Sequence, residues 1–159
     1  MGIVTGKEEQ IMEKSNILFK FERGAFFGGF LKILIRALLD DPDNVSVEVN
    51  PKNGFRYIYH MKDQEFIMPA AEMARIESFL KTILYWKEKY YTREDILDGY
   101  GWGIEYHCRG FDFESDGYES YPEDYRAKMT ELQTIIEDLC QEYNPDGYEP
   151  SGRQLRIEL

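Results

Sequence analysis

Cysteine and histidine are scarce in this 159-residue chain, which holds two of each: Cys108 and Cys140, His60 and His107. Two cysteines do not make a disulfide framework, and with neither a paired CxxC nor an HExxH the usual zinc patterns leave the front rank. Both thiols read as core residues in a reducing compartment, a single cross-link being the alternative that geometry decides. Also lacking are a phosphate-cradling GxxxxGK[ST], a dinucleotide fingerprint and a GxSxG elbow, which leaves no catalytic or cofactor-binding residue to assign. No apolar run approaches the roughly 18–20 residues of a membrane span. The longest apolar stretch, Ala25 to Leu39, is broken by Lys32 and Arg36, and the first residues lack the basic, apolar, small-residue order of a secretory signal. A cytoplasmic address and no membrane partner are the expectations.

Positive charge is in short supply as well. Nineteen Lys and Arg stand against thirty Asp and Glu, for a formal net charge of -11. Phosphate backbones and anionic membranes are repelled by such a surface, so nucleic acid is not an expected ligand. A basic protein is the partner this charge favours, although solubility alone also accounts for an acidic surface.

What is present is material for a core: 43% hydrophobic and 15% aromatic residues in a chain of single-domain length. Residues 1–15 are charged and weakly periodic, which reads as a flexible arm, and 16–143 as a single domain. Ile17, Phe19 and Phe21 alternate with Leu18, Lys20 and Glu22, the pattern of a half-buried strand. The stretch 26–39 fits either a helix or a strand. Three glycines at its start, two isoleucines, and Asp40-Asp41 at what would be the negative end of a helix dipole favour the strand. Asp40 to Asn44 is a turn by composition, and Val45, Val47 and Val49 alternate cleanly after it. Asn53-Gly54 then predicts a hairpin from Val45 to Lys62, with Phe55, Tyr57, Tyr59 and Met61 on one face of its second strand.

From Pro69 the period lengthens, and Met73, Ile76, Leu80, Ile83 and Leu84 predict a helix over 69–86. A second strand pair follows, with Trp102, Ile104, Tyr106 and Cys108 alternating, a turn at Gly110, then Phe111 and Phe113. The clearest helix is predicted over 122–143, opened by Pro122 and striped by Tyr125, Met129, Leu132, Ile136, Leu139, Cys140 and Tyr143. Asn144-Pro145-Asp146-Gly147 stops it, and 144–159 is left as a tail or short edge strand.

Two groups of residues could carry function. His60 and His107 fall on the polar faces of predicted strands; if they neighbour each other, His60, His107, Glu105 and Asp112 could hold a metal or shuttle a proton, and if not they are solvated surface residues. Cys108 cannot join His107, because adjacent strand residues point to opposite faces. The stretch 112–124, DFESDGYESYPED, has six carboxylates, interleaved aromatics and no Lys or Arg. It misses the ligand spacing of a helix-loop-helix calcium site. As a surface for the Arg or Lys side chains of a partner it offers Asp112, Glu114, Asp116, Tyr118, Glu119, Tyr121, Glu123 and Asp124; as a solvated loop it offers nothing.

Asp98-Gly99 three residues before Trp102, the alternating hairpin, and Gly117-Tyr118-Glu119-Ser120-Tyr121-Pro122 before an amphipathic helix resemble small bacterial α+β proteins with a DG-x-x-W strand and a G-x-x-x-YP helix start. The resemblance spans about a third of the chain. It implies the fold and carries no activity; Trp102, Tyr121 and Pro122 read physically as packing and helix-start residues.

The expected architecture is an α+β fold: an antiparallel twisted sheet of about five to six strands, with two amphipathic helices packed on one face. The leading functional expectation is a non-enzymatic, acidic, inhibitor or immunity-type protein that engages a basic partner. The alternatives are a small hydrolase or metal-dependent enzyme using His60 or His107, and a structural homo-oligomer subunit.

Overall fold

A computed structural model of the chain describes residues 16–25, 29–52, 62–92 and 99–147. Alternating sequences become strands β1 (Ile17–Ala25), β2 (Gly29–Leu38), β3 (Asp41–Lys52), β4 (Gln64–Pro69), β5 (Lys89–Tyr91), β6 (Gly101–Cys108) and β7 (Phe111–Tyr118). They form one sheet in the order β4-β3-β2-β1-β6-β7-β5. All neighbours are antiparallel except β5 and β7, which run parallel. The stretch 29–38 is thus a strand, and its register sets Ile33 and Ile35 between Phe21 and Phe19 on one side and Val49 and Val47 on the other.

The sheet is mixed and seven-stranded among the described residues, against an expectation of five to six antiparallel strands. Two strands escaped the sequence reading for physical reasons. In β4, buried Gln64, Phe66 and Met68 alternate with exposed Glu65, Ile67 and Pro69, but the run leads straight into a helix and Pro69 mimics a helix start. Pro69 instead ends the strand, a position where a missing N–H does little harm. The three residues of β5 are too few to show a period. The predicted second strand of the Asn53-Gly54 hairpin, the arm over 1–15, His60 and the end of the tail lie outside the described residues.

Helix α1 (Met73–Leu80) lies between two 3-10 turns, Ala70–Glu72 and Lys81–Ile83, so the helical stretch is shorter than the predicted 69–86. Helix α2 (Tyr125–Tyr143) begins three residues after Pro122, because 119–124 are taken up by contacts to the sheet end. One cluster holds the core. Phe19, Phe21, Ile33, Ile35, Val47, Ile104 and Tyr106 from the sheet meet Met73, Ile76, Leu80, Met129, Leu132 and Ile136 from the helices. Each such fully buried side chain contributes about 1.5–3 kcal/mol. Both helices therefore cover the same sheet face. Cys140 is buried in this core and Cys108 is half-buried, both as free thiols.

At the β6–β7 end an aromatic group closes the core. Trp102 packs on Trp86, Tyr90 and Tyr125 at ring-centroid distances of 5.6, 5.8 and 5.3 Å. Its Nε1–H donates to the Ser120 carbonyl at 3.0 Å. Gly117 is what permits this approach, since a Cβ there would stand 2.5 Å from Trp102 Nε1 and 2.6 Å from the Tyr90 carbonyl oxygen. No described helix is long and apolar enough to cross a membrane.

Candidate functional site

The turn between β6 and β7 sets the geometry of the opposite, outer face. Arg109 and Gly110 both have positive φ, 54° and 77°, as the two central residues of a tight hairpin with the twist of its strands require. That turn pairs Cys108 with Phe111 and His107 with Asp112, and two steps on Glu105 with Glu114. Side chains alternate across a strand, so Glu105, His107, Asp112, Glu114 and Asp116 share one face while Tyr106, Phe113 and Ser115 turn into the core.

His107 sits at the centre of three carboxylates. Its Nδ1 lies 2.7 Å from Asp112 Oδ1, and its Nε2 lies 3.2 Å from both Glu105 Oε1 and Glu114 Oε1. The imidazole is 38% exposed and Asp112 is 72% exposed. The Asp112 hydrogen bond foremost raises the His107 pKa above its ordinary value; burial opposes it, and Glu105 adds to the rise.

Next to this cluster the outer face sinks into a trough of about 410 Å³. Gly101 and Gly103 line it between β1 and β7, a region where no β6 side chain projects outward. Lys20 and Glu22 border it from β1, Glu114 and Asp116 from β7, and Glu88 and Lys89 from the segment before and within β5. Lys20 pairs with Glu22 at 3.0 Å and Lys89 with Asp116 at 3.1 Å. Five carboxylates thus face two ammonium groups in the lining, and Glu105 and Glu114 belong both to the trough and to the His107 cluster.

The eight residues expected to form one acidic surface fall into two sets. Asp112, Glu114, Asp116 and Tyr118 alternate along β7 rather than lying in a loop. Glu119, Tyr121, Glu123 and Asp124 belong to the connection into α2. Several of the eight hold the fold together: Tyr118 Oη accepts from the Gly99 N–H at 2.8 Å, and the Glu119 carboxylate accepts from the Tyr100 N–H. Asp124 accepts from Trp86 Nε1–H at 2.9 Å and from the Tyr85 hydroxyl. Tyr121 packs at a tilt against Tyr125, ring centroids 4.7 Å apart, and with Glu123 it lines a second cleft of about 510 Å³.

Arg23 and Arg126 border that second cleft. Arg23 donates through Nε to Tyr100 Oη at 2.6 Å and through a terminal nitrogen to Gln133 Oε1 at 3.0 Å, which ties β1 to α2. Burial raises the pKa of Tyr125, whose hydroxyl meets Tyr100 Oη at 3.3 Å, and to a smaller extent that of Tyr121. Tyr100, Tyr121 and Tyr125 pack on one another to form the cleft's aromatic wall.

Glu105 and Gly103 were not singled out as partner-binding residues from sequence; the alternation of 101–108 puts them on the outer face, but only the cross-strand register shows what they meet. Compared with protein-family models, with curated proteins and with solved structures, the chain matches none.

Proposed function

We propose that this chain is a non-enzymatic binding protein, of the inhibitor or immunity type, whose outer sheet face at β6 and β7 engages a basic partner protein. The observation that carries the reading is the trough beside His107, where Glu22, Glu88, Glu105, Glu114 and Asp116 surround a glycine-lined floor with only Lys20 and Lys89 to offset them. An Arg or Lys side chain laid over Gly103 fills space that no side chain of β6 occupies, and brings its charge among carboxylates.

Single exposed ion pairs contribute only about 0–1 kcal/mol, so recognition here rests on several carboxylates acting on one cationic segment. Such attraction is screened over about 10 Å at 0.1 M salt. Association is therefore fastest and tightest at low ionic strength. The exclusion of nucleic acid belongs to the same reading and follows from the net charge of -11.

The test is affinity capture from the source cell's own extract at low and high salt, with the native chain and a Glu105→Gln/Glu114→Gln/Asp116→Asn variant as baits, and a chelator present throughout. A basic protein held by the native bait at low salt, released at high salt and not held by the variant is the expected result. Recovery of nothing at low salt, or equal recovery by the variant, overturns the reading.

A further inference from the structure

We propose that Glu105, His107 and Glu114 form a binding site for one first-row divalent metal ion, with Asp112 orienting the imidazole. A neutral imidazole carries a single N–H. Asp112 makes the shortest contact, 2.7 Å at Nδ1, and a carboxylate can only accept there, so that N–H belongs to Nδ1. Nε2 then directs a lone pair at Glu105 Oε1 and Glu114 Oε1, each 3.2 Å away. Three electron-rich atoms converge there, an arrangement that attracts a cation to their centre, either a second proton on Nε2 or a metal ion.

The spacing suits the metal. Donors at about 2.0–2.1 Å from a tetrahedral ion stand about 3.3–3.4 Å from one another. The two Nε2-to-carboxylate distances match that edge, and all three ligand atoms lie within 4.8 Å of one another. A small rotation of either Glu closes the triangle without backbone movement, because both side chains are about half exposed. Asp112 supplies the carboxylate–imidazole hydrogen bond that fixes ring orientation in metal-ligating histidines and raises their basicity.

The donor set selects the ion. One imidazole nitrogen with two carboxylates suits zinc and its neighbours, whereas oxygen-only sites suit magnesium and calcium. The tight hairpin at Arg109-Gly110 holds the ligands, two on β6 and one on β7, in register. This inference shares Glu105 and Glu114 with the proposed partner surface but does not rest on it.

Calorimetric titration with Zn2+ against a background of excess Mg2+, which occupies carboxylate-only sites, tests the site, with the His107 ring resonances followed by NMR. One equivalent is expected to bind and shift those resonances. His107→Ala and Glu105→Gln/Glu114→Gln should each weaken binding by more than about 100-fold, and Asp112→Asn by about 10–100-fold, the range for lost outer partners. All four changed side chains are solvent-accessible, and a cooperative thermal transition confirms that each variant is folded. No saturable binding, unmoved His107 resonances, or binding kept in His107→Ala overturns the site. Partner capture in chelator is unaffected by that outcome.

Discussion

Gly117→Ala places one methyl group where the fold has no space for it. The new Cβ stands 2.5 Å from Trp102 Nε1, 2.6 Å from the Tyr90 carbonyl oxygen and 2.7 Å from the Ser120 carbonyl oxygen. Two of these three neighbours are backbone, and Tyr90 is paired with Gly117 in the parallel β5–β7 ladder. Relief therefore requires that β5 or the 119–124 connection move away, and the Trp102-to-Ser120 hydrogen bond is lost with it. Overpacking of this kind costs about 1–3 kcal/mol and a hydrogen bond about 1 kcal/mol, which sums to about 2–4 kcal/mol. Domains of this kind unfold with about 5–15 kcal/mol in total, so the loss is a large share. With a urea slope of about 2 kcal/mol/M the unfolding midpoint falls by about 1–2 M. Gly103→Ala is the internal control: its Cβ meets only Asp116 Cβ, at an ordinary 3.5 Å. Both variants are unfolded in urea and followed by tryptophan fluorescence, since Trp86 and Trp102 lie in the affected corner. A Gly117→Ala midpoint equal to that of the native chain, or a Gly103→Ala midpoint depressed as far, refutes the packing reasoning.

Two further outcomes follow from titrating groups. In metal-free protein His107 titrates above its usual value near 6.5, and Asp112→Asn lowers it, as an NMR pH titration reads directly. Because the folded-state pKa is raised, the stability His107 contributes is fully present below pH about 6.5 and is lost as pH rises through the folded value; His107→Gln should destabilise most at acidic pH and least in alkali. Burial pushes the Cys140 thiol up to about 12. A thiol reagent at neutral pH should modify no more than one cysteine, Cys108, in the native chain and both in denaturant; rapid native modification of Cys140 contradicts its place in the core.

The sheet was legible wherever apolar residues alternate over five or more positions, as in Val45-Val47-Val49 or Trp102-Ile104-Tyr106, because a face is set by side-chain parity alone. It was illegible where the period had no room: β5 has three residues and β4 runs into a helical turn at Pro69. Helix α2 was readable because the stripe from Met129 to Cys140 is long, but its start was not, since the Asp124 carboxylate is engaged by Tyr85 and Trp86 rather than by the helix. The site followed the same logic. Acidity along 112–116 could be read, and the hairpin turn at Gly110 as well. Which carboxylates stay at the surface could not be read, because the groups that engage Glu119 and Asp124 lie 19 and 38 residues away, on Tyr100 and Trp86. The trough needed β1 beside β6, a pairing that no local pattern encodes.

The proposed function puts a cationic partner on the outer side of β6 and β7. An NMR titration of the chelator-treated chain with an arginine-rich peptide tests it most directly. Shifts confined to Glu22, Gly103, Glu105, His107, Glu114 and Asp116, and suppressed by salt, are the predicted result. Shifts centred on α1 and α2, or none at low salt, would contradict it.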